Sequence, residues 1–182
     1  MREPAPPYRG EGPPALWHVS DDTGIRRFEP RAGGASPDEA VVWAIDTRHL
    51  PLYWFPRECP RGTFWPAVET TPEDRERFFA GGALRVHAVE SAWLDRVRQA
   101  QVVAYRLPDD GFRPHPEVGG YWTNLGTVEP LEAIRLGDLL GLHAAAEIEL
   151  WIVPDLLELW DRVIASTLEF SGIRLRDAAR RA

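Results

Sequence analysis

The sequence contains no lysine, because all 21 basic residues among its 182 residues are arginine. This absence excludes a lysine Schiff base and a phosphate-loop lysine. Cysteine is almost absent too: Cys59 stands alone, so no disulfide can form within the chain. A reducing compartment suits such a composition. We find neither the apolar core of a signal peptide nor an apolar run of about 20 residues, and we therefore expect a soluble, cytoplasmic protein that does not enter a membrane.

Basic charge is in deficit overall, with a formal net charge of −7. General nucleic-acid binding is therefore not expected, since phosphate backbones require a basic face. The five histidines are widely scattered and no known metal-binding spacing occurs, so no metal site is predicted. Phosphate-loop, dinucleotide-fingerprint and nucleophile-elbow motifs are also missing. The oligomeric state stays open.

What the chain does have is a hydrophobic content of 44%, enough for an ordinary globular core. Five prolines and two glycines in residues 1–14 predict a flexible tail. One globular domain is expected over residues 15–178. Many short strands do not alternate regularly with helices, which predicts an α+β fold with a mixed, mostly antiparallel sheet and flanking helices.

The clearest candidate for ligand binding is the segment with Arg57 and Arg61, which follows the aromatic residue Tyr53 and is bracketed by prolines. Arginine suits forked binding of phosphate or carboxylate and stacks on aromatic rings. The alternative is that both arginines pair with acids such as Glu58 and fix a loop. Cys59, between them, is either an activated thiol or a small buried hydrophobic residue.

A second candidate lies on the first predicted strand, where His18 and Ser20 are two residues apart and point to one sheet face. A polar pair on a strand otherwise built from Leu and Trp indicates a cleft. The alternative is a core histidine with its hydrogen bonds satisfied. Glu129, before a proline, is either a carboxylate at a strand end or a solvated surface residue.

The segments LWHVSDDTGIRRFEPR, VVWAIDTRHLPLYWFPRECPR and IASTLEFSGIRLRDA resemble an uncharacterised bacterial family of unknown function, over about residues 15–177. This resemblance implies no particular activity. A fold-level similarity to ADP-ribosyltransferase-like domains lies in His18 and Ser20, in the segment from Val41 to Phe55, and in the late Glu129. It implies a split sheet, a nucleotide held by His18, and a transition state supported by Glu129.

Together these observations predict a pocket for a phosphate-bearing or nucleotide-like small molecule, with His18, Ser20, Tyr53, Arg57 and Arg61 as ligand-binding residues. The weak catalytic candidates are His18 and Glu129. If the protein is an enzyme, the resemblance implies a transferase that uses NAD as a substrate, with no cofactor required. The rival hypotheses are a non-catalytic protein-interaction domain and an enzyme fold that has lost its chemistry.

Overall fold

The computed structural model describes residues 3–33 and 36–179. In chain order, the strands are β1 Leu16–Ser20, β2 Arg31–Gly33, β3 Ser36–Asp46, β4 Arg61–Trp65, β5 Val86–Glu90, β6 Val102–Leu107, β7 Arg113–Pro114, β8 Tyr121–Asn124, β9 Glu132–Leu136, β10 Glu149–Val153 and β11 Glu169–Ile173. The α-helices are α1 Pro72–Phe79, α2 Leu94–Gln99, α3 Leu139–Ala145 and α4 Leu156–Ile164. The α+β prediction is confirmed.

The chain divides into two compact units, where the sequence predicted one domain after a flexible tail. The antiparallel-sheet unit comprises Glu11–Trp54 and Gln101–Gly137. The mixed-sheet unit takes residues 3–10, 55–100 and 138–179 of the described chain. The predicted tail therefore contributes to both units, while residues 1 and 2 lie outside the described part. Local sequence patterns give no sign of this division, because each unit is assembled from separate pieces of chain, and that residues 15–178 form one domain stays a prediction.

The antiparallel-sheet unit has seven strands in the order β7-β8-β3-β1-β6-β9, with β2 alongside β3. Alternation along the strands sends side chains to opposite faces. One face carries a buried cluster around Phe28 and Tyr105. The other carries Ile45, Leu50 and Ala104. A sheet of this kind is stabilised on both faces, which explains why its central strands are rich in apolar residues.

The composition of residues 31–39, RAGGASPDE, predicts a surface loop, and this prediction is wrong for residues 31–33 and 36–39. They contribute to β2 and β3, which pair in an antiparallel manner with an irregular register; residues 34 and 35 lie outside the described part. Gly33 has a φ of +139° at the end of β2, a conformation that favours glycine. Gly33 therefore ends a strand instead of lying in a surface loop.

The mixed-sheet unit has four strands in the order β10-β5-β4-β11. The pair β10–β5 is parallel and the other two pairs are antiparallel. Helix α4 is amphipathic and buries Leu156, Leu159 and Val163 in a cluster that includes Phe64 of β4. The opposite face of this sheet carries polar side chains.

The start of α1 agrees with the capping pattern in the sequence. Thr71 is the N-cap, its hydroxyl accepts a hydrogen bond from the Asp74 amide, and Pro72 opens the helix. None of the helices in the described ranges is both long and apolar enough to cross a membrane.

Candidate functional site

A layer of buried polar side chains covers one face of the mixed sheet. The register pairs Thr63 with His87 and Arg61 with Val89, so Arg61, Thr63 and His87 share a face. Arg61 is 2% exposed and His87 is fully buried. Burial of a guanidinium and an imidazole on one sheet face is unusual, because polar groups are normally left in water.

His87 is hydrogen-bonded to His143 of α3 inside this layer. The Nδ1 atom of His87 lies 2.9 Å from Nε2 of His143, and Nδ1 of His143 lies 2.7 Å from the carbonyl oxygen of Leu139. A carbonyl can only accept, so Nδ1 of His143 donates and its Nε2 is left as an acceptor when the ring is neutral. His87 must then donate from Nδ1. Its Nε2 is a buried acceptor to which no described group donates.

Both rings of this buried histidine pair are held in the neutral form. Burial lowers the pKa of His143 from its ordinary 6.5 to about 4, against a small opposing effect of the Leu139 carbonyl. The pKa of His87 is lowered well below 6.5, first by burial and then by the charges of His143, Arg85 and Arg61. Neutral rings are what the hydrogen-bond chain requires, because two donors cannot share one bond.

Arg61 occupies the other end of the polar layer, close to the lone cysteine. Its Nη1 atom donates to the carbonyl of Cys59 at 2.9 Å, and its guanidinium carbon lies 5.5 Å from the centre of the Phe55 ring. The Phe55 ring also contacts both histidines of the buried pair. Arg61 therefore contacts other buried groups of the unit, the Cys59 carbonyl and the Phe55 ring.

We expect the Cys59 thiol to be inert in the folded protein. Burial raises its pKa to about 12, more than the nearby Arg61 charge can offset, and the thiolate is the reactive form. A thiol reagent such as an aromatic disulfide should therefore modify Cys59 only after denaturant unfolds the chain. Stoichiometric labelling of the native protein within minutes at neutral pH would contradict this expectation.

The mixed-sheet unit also contains a cleft, named here the Arg85 cleft, with a volume of about 420 Å³. It is lined by residues 7–9, residues 81–85, Ala144 and residues 146–149. Arg85 precedes β5 and is 2% exposed. Its Nη2 atom donates to the carbonyl of Pro6, and its guanidinium carbon lies 5.8 Å from the centre of the Tyr8 ring. The most buried charged group that lines the cleft is thus a guanidinium beside an aromatic ring.

The other charges of the Arg85 cleft are exposed and engaged. Arg9 and Glu147 form an ion pair at 2.8 Å, with both side chains about 70% exposed (71% and 68%). The Glu149 carboxylate accepts a hydrogen bond from the Trp151 indole at 2.8 Å. Water screens exposed charges far more than a buried one. The charge of Arg85 is therefore screened least among the charged groups that line the cleft, and a guanidinium attracts an anion.

The two predicted arginines lie in different environments within the mixed-sheet unit. Arg61 is buried, whereas the Arg57 side chain is 61% exposed and lies 3.8 Å from the Glu58 carboxylate. Glu58 also accepts a hydrogen bond from Arg174 at 3.2 Å. The contact of Arg57 with Glu58 corresponds to the alternative in which this segment fixes a loop.

The remaining predicted residues belong to the antiparallel-sheet unit. The His18 ring lies 4.7 Å from the Phe28 ring, and its Nδ1 atom is 2.9 Å from the carbonyl of Trp43. The Ser20 hydroxyl accepts a hydrogen bond from the Asp22 amide. These contacts give His18 and Ser20 partners within the unit, as a structural role requires.

Tyr53 and Glu129 also lie in this unit. Tyr53 donates its hydroxyl to that of Tyr121 at 3.0 Å, and Glu129 is exposed. The five predicted ligand-binding residues thus divide between two units, three in one and two in the other. That they share one pocket stays a prediction.

Sequence reasoning missed His87, His143 and Arg85. The alternation of residues 84–89 did predict a strand, and it puts Arg85 and His87 on the same face. Polar residues on one face usually indicate solvent, yet every residue of β5 is buried. Among the residues that the structure describes, no cluster of three or more potential metal ligands occurs.

Comparison with known proteins places the chain in a family but gives it no activity. The model of DUF6886, a family of unknown function, matches residues 17–178. The chain belongs to this family. No curated protein and no solved structure matches it. The similarity to ADP-ribosyltransferase-like domains is therefore not supported by these comparisons.

Proposed function

We propose that this protein binds a small organic anion, a carboxylate or a phosphate ester, in the Arg85 cleft. The observation that carries the proposal is the buried guanidinium of Arg85 in the lining of a cleft of about 420 Å³. Arginine presents several donors in a planar fork that matches phosphate and carboxylate oxygens. A cleft of this size falls in the range of small-molecule sites, about 300–1,000 Å³.

The phosphate-bearing or nucleotide-like ligand inferred from the sequence is the finer form of this proposal. The planar guanidinium of Arg85 can bind a phosphate group and can also stack on the flat face of a base. A ligand panel should therefore contain inorganic phosphate, a sugar phosphate, a dicarboxylate, nucleotides and NAD. Release of nicotinamide from NAD tests the transferase reaction in the same samples.

Removing the guanidinium of Arg85 should weaken anion binding. In a thermal-shift panel at constant ionic strength, at least one anion should raise the melting temperature of the parent protein. Arg85→Met keeps the length of the side chain but loses the charged donors, so affinity should fall about tenfold or more. Arg85→Lys keeps the charge but loses the planar fork of donors. Its anion affinity should lie between that of the parent and that of Arg85→Met. Circular dichroism checks that each variant folds.

The matched control is Arg98→Met. Arg98 is an exposed arginine of α2 in the same unit, outside the cleft, paired with Asp95 at 3.4 Å. Its loss should leave the ligand response unchanged. Glu149→Gln should act in the opposite direction to Arg85→Met, because it removes a negative charge from the cleft. A ligand response that persists in a folded Arg85→Met protein would overturn the proposal.

A further inference from the structure

Residues 3–9 belong to the mixed-sheet unit and pack against it. This segment lies in no helix or strand. At its start, the Glu3 amide donates to the Glu169 carboxylate at 3.2 Å. The Glu3 carboxylate accepts from the Val68 amide at 3.1 Å. Ala5 is fully buried. These contacts fix the first half of the segment on the surface of the unit.

The second half of the segment lies over Arg85. The Pro6 carbonyl accepts a hydrogen bond from Nη2 of Arg85, and the Tyr8 ring lies beside the same guanidinium. The Arg9 amide then donates to the carbonyl of Ala146 at 3.1 Å. The segment thus supplies a carbonyl oxygen to a donor that an anionic ligand would use, and it helps to keep Arg85 2% exposed.

We propose that residues 3–9 form a displaceable strap that competes with the anionic ligand for Arg85. This inference rests on the proposed function and adds its regulation. A neutral carbonyl is a weaker partner for a guanidinium than a phosphate or carboxylate oxygen, so the ligand can replace it. The exchange leaves Arg85 hydrogen-bonded in both states, which avoids the cost of a buried guanidinium that has lost its partner.

The second half of the strap includes a weak contact. The ion pair of Arg9 with Glu147 is largely exposed, and such pairs contribute only about 0–1 kcal/mol. Residues 3–9 also lie outside every helix and strand, and such segments open at a lower free-energy cost than core elements. Three prolines, at positions 4, 6 and 7, keep the released segment extended, so little conformational entropy is lost when it binds again.

Variants of the full chain that release the strap should bind inorganic phosphate more tightly. Ala5→Glu places a carboxylate at a fully buried position, and Glu3→Gln weakens the anchor at Val68. Titration calorimetry at fixed ionic strength should show phosphate affinity about tenfold higher in these variants, because the competing state is removed. Glu29→Gln, an exposed ion-pair partner in the other unit, is the control and should leave phosphate affinity unchanged.

Hydrogen exchange of the Arg9 amide reports directly on the strap. Its exchange should accelerate in both variants, and in the parent protein when phosphate replaces chloride. The amide of Ala165, bonded to the Asp161 carbonyl, should not respond. An unchanged exchange rate of the Arg9 amide in both variants would overturn the strap proposal.

Phosphate titration separates the two proposals. Equal phosphate affinity in the parent and in variants whose strap is released would also overturn the strap, while the proposed function stands. If no anion of the panel binds to the parent protein or to any variant whose strap is released, both proposals are overturned.

Discussion

Acidification from about pH 7 to about pH 4 should lower the free energy of unfolding by about 3 kcal/mol or more through the buried histidine pair. The pKa of His143 falls from 6.5 to about 4 on folding, and each pH unit corresponds to about 1.4 kcal/mol. A base with a lowered pKa in the folded state binds fewer protons there than in the unfolded chain. The contribution of the histidine pair to the free energy of unfolding is therefore fully present above about pH 6.5 and is lost as the pH falls towards 4. His87 adds to the loss in the same direction.

Urea denaturation at several pH values measures this loss, and a double variant assigns it. Replacing both rings, as His87→Leu with His143→Leu, removes a donor and its acceptor together, which costs less than removing one. The double variant should lose much less stability between about pH 6.5 and pH 4. His115→Leu, in the other unit, leaves the buried pair intact and should keep the acid loss. An acid loss of the parent size in the double variant would show that other groups cause it.

A carboxylate with a lowered pKa acts in a different pH window. Hydrogen bonds from Thr167 lower the pKa of Asp74 below its ordinary 3.8. Its contribution to stability is therefore present above that value and lost below it. Because the two windows do not coincide, a loss that begins near pH 6.5 belongs to the histidines.

The second large effect is expected from Gly62→Ala in β4, which should destabilise the mixed-sheet unit by about 1–3 kcal/mol. Gly62 pairs with Gly172 of β11, and the Trp160 ring of α4 covers both. A methyl group at Gly62 would lie 2.8 and 2.9 Å from two ring carbons of Trp160. The ring is held against Phe170 at 5.3 Å between centres and cannot move away freely.

A double-mutant cycle tests this explanation. Trp160→Leu removes the ring, so Gly62→Ala should cost much less in that background than in the parent. Gly81→Ala is the control in the same unit, because its methyl group would meet only ordinary contact at 3.8 Å. It should be neutral or slightly stabilising. Equal costs of Gly62→Ala in both backgrounds would contradict the role of Trp160.

Local sequence signals predicted those parts of the fold that local physics determines. The capping pair of Thr71 and Pro72 gave the start of α1, and alternation from residue 147 to 153 indicated β10. The division into two units could not be predicted in this way. It depends on which distant strands pair, such as β4 with β11, and no residue near Arg61 or Ile173 indicates its partner.

The candidate site was missed for a related reason. The sequence drew attention to Arg57 and Arg61 because prolines and aromatics surround them, yet the guanidinium in the cleft is Arg85, in an ordinary alternating segment. In an alternating strand, a polar residue such as His87 is typical of a solvent-facing position. Its burial comes from His143, which lies 56 positions later in the chain and packs onto the same face of the sheet. Polarity alone does not distinguish a solvated face from a buried polar layer.

The pairing of β4 with β11 bears on how this protein is made. The two strands lie about a hundred residues apart, at Arg61–Trp65 and Glu169–Ile173. During synthesis, the mixed sheet cannot be completed until residues 169–173 have left the ribosome, and one edge of β4 is open to wrong partners until then. A premature stop codon anywhere upstream of position 169 would delete β11 and leave that edge open permanently. Nor can any uninterrupted stretch of the gene encode this unit, since its pieces alternate with those of the other.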